Sequence, residues 1–230
     1  MSPVPGTHAT HGPLPEVPAG HTGTIKLGAL IYPGFDLLDV MGPMRILGEE
    51  LNTLNIEIVF VSHSLVPCFS AQQVRIAPHY TLESAPKLDI FFMPGGLGQI
   101  IYTEDPKMVK LIKERVDAST WTFTVCTGSG VLAKTGAIDG YAATTNKAFF
   151  EWSAKNGSNV KWVKHARWVQ DGKFLTASGV SAGIDAALYF VSQLTSVDKA
   201  REVATYIEYT WHEDADADPF ADQHPYTASP

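Results

Sequence analysis

Thr122-Phe123-Thr124-Val125-Cys126-Thr127-Gly128-Ser129-Gly130 is the stretch on which the reading of this chain turns. A β-branched and aromatic run stops at a cysteine, and small residues follow. The pattern predicts a buried strand over 121–125 that turns sharply into a helix over 128–134, with the thiol at the corner. A side chain so placed stands at the carboxyl edge of a sheet. It lies beside the free N–H groups and positive dipole end of the next helix, which favour a thiolate. Serine elbows of hydrolases present their nucleophile the same way. A cysteine is in general more often an inert core residue, but the corner between β-branched and glycine residues weighs toward Cys126 as a nucleophile.

A second glycine corner, Met93-Pro94-Gly95-Gly96-Leu97-Gly98, follows the apolar run 88–93. Consecutive glycines let backbone N–H groups converge on one point, as an oxyanion site requires. Beside the cysteine strand in a parallel sheet, Gly95 and Gly96 are expected to join the Thr127 N–H in holding a substrate. Asp39 stands among Leu38, Val40 and Met41. An acid in apolar surroundings is pushed toward its protonated form unless paired, which suits proton transfer to and from a thiol; a cap or a core hydrogen bond is the plainer role. Asp36, nearer the Pro33-Gly34 turn, is the better helix cap.

Apolar runs over 25–31, 56–62, 88–93, 121–125, 160–169 and 173–176 read as strands. Helices are expected over 36–54, with a first turn or kink at Pro43, and over 106–118, 128–134, 147–156, 180–194 and 197–206. Residues 66–76 and the Asp171-Gly172 turn read as hairpin signals. Strands alternating with helices, the strands continuously apolar, predict an α/β three-layer sandwich around a mostly parallel sheet. Residues 1–23, rich in Pro, Gly and His, are expected to be a disordered leader. Residues 24–211 then form one catalytic domain, and 212–230 an acidic tail. The tail is either solvated or laid over the domain or a partner subunit; the lone Phe220 within it weighs toward packing.

The chain has 230 residues, 45% hydrophobic, with a formal charge of −7, enough for one sizeable core. No basic patch marks a nucleic-acid partner, and no run reaches the roughly 18 apolar residues of a membrane span. The amino-terminal stretch lacks the pattern of a signal peptide, and two cysteines, Cys68 and Cys126, suit a reducing, cytoplasmic setting. Phosphate-loop, dinucleotide and zinc motifs are missing, so neither a cofactor nor a metal is expected. His63, His79 and His165 are isolated.

The segments 31–43 (Ile-Tyr-Pro-Gly-Phe-Asp-Leu-Leu-Asp-Val-Met-Gly-Pro), 89–96 (Asp-Ile-Phe-Phe-Met-Pro-Gly-Gly), 125–129 (Val-Cys-Thr-Gly-Ser), 143–145 (Ala-Thr-Thr) and 181–188 (Ser-Ala-Gly-Ile-Asp-Ala-Ala-Leu), taken in order, resemble the DJ-1/PfpI superfamily, and within it the isonitrile hydratase branch. Ile-Glu-Tyr (207–209) and Asp-Pro-Phe (218–220) are similar to that branch's closing stretch. The resemblance implies a flavodoxin-like fold, a dimer, and no cofactor. It implies Cys126 as nucleophile, Asp39 as its acidic partner, and Gly96 and Thr127 as donors to substrate. Where many isonitrile hydratases read Thr-Thr-His-Trp, this chain reads Thr144-Thr145-Asn146-Lys147. Asn146 can hydrogen-bond but cannot act as a base, so Asp39 is the local proton carrier. The implied reaction is hydration of an isonitrile to a formamide through a covalent thioimidate, with Asn146, Tyr32, Trp152 or Tyr206 near the substituent. Glyoxalase-type or other small-electrophile chemistry at the same cysteine, and a non-catalytic redox-sensing role, are the alternatives.

Overall fold

The computed structural model describes residues 10–11, 14–16 and 23–223. Its core is a sheet in which the strands Ile25–Leu30, Ile56–Ser62, Ile90–Met93, Trp121–Val125 and Phe174–Ala177, counted first to fifth along the chain, lie side by side in the order 2-1-3-4-5 and all run parallel. This is the flavodoxin-like order of a doubly wound sheet. Tyr80–Thr81 extends one edge in parallel. On the other edge Trp168–Asp171 pairs antiparallel with Phe174–Ala177, joined through Gly172 at φ 56°. That is the hairpin signalled by Asp171-Gly172.

Strands three and four are buried along their whole length, which explains their unbroken apolar reading. Leu37–Leu47, Ala182–Leu194 and Val197–Tyr206 pack together on one side of the sheet. Gln99–Glu104, Pro106–Ala118, Gly128–Lys134 and Phe150–Asn156 pack together on the other.

Several boundaries differ from expectation. The helix expected to reach 54 ends at Leu47, where the Gly48 N–H closes on Met44, and Glu50–Asn52 continues as a short 3-10 turn. Pro43 lies inside that helix rather than at its start; it lacks the N–H that would have bonded the Asp39 carbonyl. The expected strand 160–169 is two pieces, Lys161–Trp162 and Trp168–Asp171, in different sheets.

Two of the five described residues before 23, Thr10 and His11, pair with Gln170 and Asp171. Leu14 is buried, and the Pro15 carbonyl accepts the Trp121 indole N–H at 2.7 Å. At these positions the stretch 1–23 is therefore docked, not a disordered leader, because a buried Trp edge needs an acceptor and Leu14 covers apolar surface. The rest of that stretch lies outside the described residues, as does 224–230. Residues 212–223 lie on the domain: Ala215 and Ala221 are buried, and the Ala215 carbonyl accepts the Arg167 N–H at 2.6 Å.

Candidate active site

Strands one, three and four deliver their ends to one place. Strand four ends at Cys126, whose φ of 59° puts a non-glycine residue in the left-handed region. That conformation costs roughly 1–3 kcal/mol and persists where surrounding contacts over-determine it. Here they do: the Cys126 N–H reaches the Ala177 and Ser178 carbonyls at 3.1 and 2.8 Å. The Cys126 carbonyl accepts from the Ser129 and Thr145 hydroxyls, each at 3.1 Å. The helix Gly128–Lys134 begins directly after.

Strand three ends at the glycine corner. The Gly95 N–H donates to Asp39 Oδ2 at 2.8 Å. A Cβ at Gly95 would fall 2.6 Å from Thr127 Oγ1 and 2.9 Å from the Cys126 Cβ, so only glycine lets this corner touch the elbow. After strand one, the Asp36 carboxylate caps the Leu37–Leu47 helix by accepting from the Leu38 and Asp39 N–H groups. That turn carries Asp39, fully buried, to the glycine corner.

The electrostatics differ from the opening expectation. Burial, and then the nearby Asp39 carboxyl, push the Cys126 thiol well above its usual range. The Thr127 N–H, the Asn146 amide and the Thr127 hydroxyl donate to the sulfur and pull the other way without prevailing. Burial thus outweighs the donors at the helix end and favours the protonated thiol.

Asp39 carries the carboxyl charge that acts on this thiol. Burial, and next the Asp36 charge, raise its carboxyl to about 8, while the Gly95 N–H and the Cys126 thiol, as donors, hold it down. Its Oδ1 is buried with no regular hydrogen bond, while Oδ2 is held by the Gly95 N–H.

Of the other expected residues, Gly95 has its N–H engaged by Asp39 and is not open to an oxyanion. The Gly96 N–H has only a long contact, 3.4 Å, to Thr127 Oγ1. Tyr32 is no pocket lining: it is fully buried, and its hydroxyl donates to the Pro94 carbonyl at 2.8 Å, bracing the glycine corner. Trp152 packs on Gly130, and Tyr206 lies exposed under Arg45. Asn146 does reach the site, its amide meeting the sulfur.

Asn146 also lines a cleft of about 190 Å³ with Ser178, Gly179, Val180 and Ser181. The remaining walls are residues that sequence reasoning gave no site role: Lys147, Arg167 and the tail residue Phe220. Lys147 is 2% exposed, donates to Thr144 Oγ1 and the Ala166 carbonyl at 2.8 Å each, and pairs with Asp218 at 3.2 Å. Its place directly after Asn146 was its only sequence signal. Among the described residues no cluster of three or more His, Cys, Asp or Glu is arranged to hold a metal ion, and Cys68 and Cys126 are both free thiols.

The DJ-1/PfpI family profile matches residues 26–193, which span the sheet, the elbow and Asp39. The chain belongs to the DJ-1/PfpI family. It is 33% identical over 204 residues to an isonitrile hydratase of Pseudomonas putida, covering 89% of this chain and 85% of that one. Among solved structures, a ThiJ/PfpI family protein from Pseudomonas syringae superposes with a TM-score of 0.74 at 29% identity, covering 86% of this chain and 77% of that one. Drosophila melanogaster DJ-1beta superposes at 0.70 with 21% identity, covering 82% of this chain and all of that one, a likeness of fold. The DJ-1/PfpI fold thus extends across divergent sequences. No helix among the described residues is long and apolar enough to cross a membrane.

Proposed function

We propose that this protein is a hydro-lyase that hydrates an isonitrile, R–N≡C, to the N-substituted formamide. The observation that carries the reading is the pairing of a buried thiol with a carboxyl that titrates near 8 and has one free oxygen. The likeness to the Pseudomonas putida enzyme supports it. No histidine stands at the Asn146 position, so a Cys–His pair does not act.

Asp39, as carboxylate, takes the thiol proton as the Cys126 sulfur forms a bond to the terminal carbon. The carboxyl then gives that proton to the carbon, leaving the thioimidate R–N=CH–S–Cys126. Water adds to this carbon, its hydroxyl forming the new C–O bond and its other proton passing to nitrogen. The tetrahedral adduct collapses with cleavage of the C–S bond. The hydroxyl proton returns through Asp39 to sulfur, and R–NH–CHO leaves. Water and isonitrile are consumed one for one, with no redox change. A carboxyl titrating near working pH suits both directions of transfer, and the donors on sulfur from Thr127 and Asn146 steady the thiolate as it forms.

The setting we propose is cytoplasmic, where the two unpaired thiols stay reduced, and the active form a homodimer. Leu65, Val66 and Phe69 on one side of the Pro33-Gly34 turn, and Leu97 and Ile101 on the other, are exposed apolar side chains that a second copy would cover. Incubation with cyclohexyl isonitrile, followed by mass spectrometry for N-cyclohexylformamide, tests the activity. Turnover lost in Cys126→Ala supports the reading; a folded wild-type protein that yields no formamide from alkyl or aryl isonitriles ends it.

A further inference from the structure

The tail that the sequence left open between solvent and packing lies on the cleft. Its course is held at several points before and around Phe220. The Asp185 carboxylate, on the helix Ala182–Leu194, accepts from the Tyr209 hydroxyl at 3.0 Å and the His212 N–H at 3.1 Å, and is paired with the buried Arg167. The Arg201 guanidinium grips Glu213 with two bonds of 2.8 and 2.7 Å. Asp218, its side chain fully buried, accepts from Ser178 Oγ at 3.1 Å and pairs with Lys147.

The Asp218 contacts tie the tail to residues next to the elbow. Lys147 follows Asn146, whose amide meets the Cys126 sulfur, and the Ser178 carbonyl accepts the Cys126 N–H. Asp218 is thus tied to neighbours of both groups that fix the nucleophile. Two residues on, Phe220 lines the same cleft as Asn146. A buried ion pair is a poor source of net stability, but it does set one geometry against alternatives. Here the geometry it sets is the position of Phe220.

We propose that residues 212–223 form a preorganised outer wall of the substrate pocket, latched by Lys147–Asp218, and that Phe220 is the side chain that selects R. The identity of R as an isonitrile substituent rests on the hydratase reading. Of the residues lining the cleft, Val180 and Phe220 are the apolar pair, while Asn146, Ser178 and Ser181 present polar groups. The volume equals that of about six waters in the liquid at roughly 30 Å³ each, room for a short alkyl chain or one ring. Phe220 is 45% exposed, so its outer face meets solvent and its truncation removes little core.

Phe220→Ala and Phe220→Trp, each checked for wild-type melting temperature, are assayed for kcat/KM on isopropyl and 1-adamantyl isonitrile. The alanine variant is expected to raise the bulky-to-compact ratio about tenfold, the scale on which apolar pocket walls discriminate, and the tryptophan variant to lower it. In parallel, alkylation of the Cys126 peptide by iodoacetamide and by N-(1-pyrenyl)maleimide is followed by mass spectrometry. The same widening should speed the bulky reagent over the small one, whatever the natural reaction. If formamide forms but the substrate ratio stays fixed in both variants, the wall assignment is overturned. If no variant makes formamide, the alkylation ratio decides: a shift keeps the wall while the hydratase reading falls, and an unmoved ratio removes both.

Discussion

The Gly95 N–H donates to Asp39 Oδ2 at 2.8 Å across 56 positions of sequence, and this one bond makes the two carboxyl oxygens unlike. With Oδ2 held, Oδ1 is the oxygen left to carry a proton. Burial, and then the Asp36 charge, push the carboxyl up to about 8 against the Gly95 and Cys126 donors.

Asp39→Asn keeps the shape and the acceptor for Gly95 but cannot shuttle a proton. Formamide production is expected to fall by about 10²–10⁴-fold, the usual contribution of a positioned acid–base group. In the wild type the rate should rise with pH through about 8, as Asp39 becomes able to accept the thiol proton. A pH–rate profile of the asparagine variant should lack that limb.

The same carboxyl gives stability a pH slope. Its folded value lies above the 3.8 of an ordinary aspartate, so the native state holds a proton that the unfolded chain releases. The contribution is therefore fully present below about 4 and is lost as pH rises toward 8. Urea titrations across this window should show wild-type stability falling at up to about 1.4 kcal/mol per pH unit from this group. Asp39→Asn should show a flatter curve.

Gly95→Ala tests contact rather than chemistry. The added methyl meets Thr127 Oγ1 and the Cys126 Cβ at under 3 Å, so the elbow and the glycine corner must separate. Misplacement of about 1 Å can cost about 10²-fold in rate, and a loss of that order is expected with the chain still folded by circular dichroism. Retention of full activity would show that the close approach is dispensable.

Asn146→Ala removes a donor from the Cys126 sulfur. The midpoint for alkylation by iodoacetamide should move to higher pH, since fewer groups then favour the thiolate. Gly179→Ala should give a weaker version of the same shift, because its Cβ would lie 2.9 Å from the Asn146 amide nitrogen. An unchanged midpoint in both would remove Asn146 from the site.

Lys147→Met strands the buried Asp218 carboxylate and should destabilise the protein by roughly 3–5 kcal/mol. Lys147→Met with Asp218→Leu replaces both charges by apolar groups and should recover much of that loss. Denaturant midpoints of the two singles and the double give the coupling.

The parallel core was legible because strands three and four are buried along their whole length and the rest read as β-branched and apolar runs. Trp121–Val125 and Ile56–Ser62 appear with the bounds read from sequence. Cys126 was legible from its neighbours, a strand ending in Thr and Gly. The state of its sulfur was not, because burial by distant segments, which local sequence does not record, outweighs the helix end. Gly95 was legible as a special position but not its partner, since Asp39 reaches it only through the sheet order. Tyr32 looked like a pocket aromatic and is instead a brace, a distinction set by where the Pro94 carbonyl falls. The pairing of Lys147 with Asp218 was not legible, since the two lie far apart in sequence and meet only in the fold.

The order of strands one, three and four has a kinetic consequence. Asp39, Gly95 and Cys126 arrive on three separate crossovers, and each long closure costs chain entropy before it is rewarded by contact. A partly folded chain therefore holds Cys126 as an ordinary exposed thiol with no carboxyl beside it. Its alkylation would follow the titration of a free cysteine, and the shift to native behaviour would mark the moment the sheet closes. The Cys126 thiol thus reports whether strands one, three and four have come together.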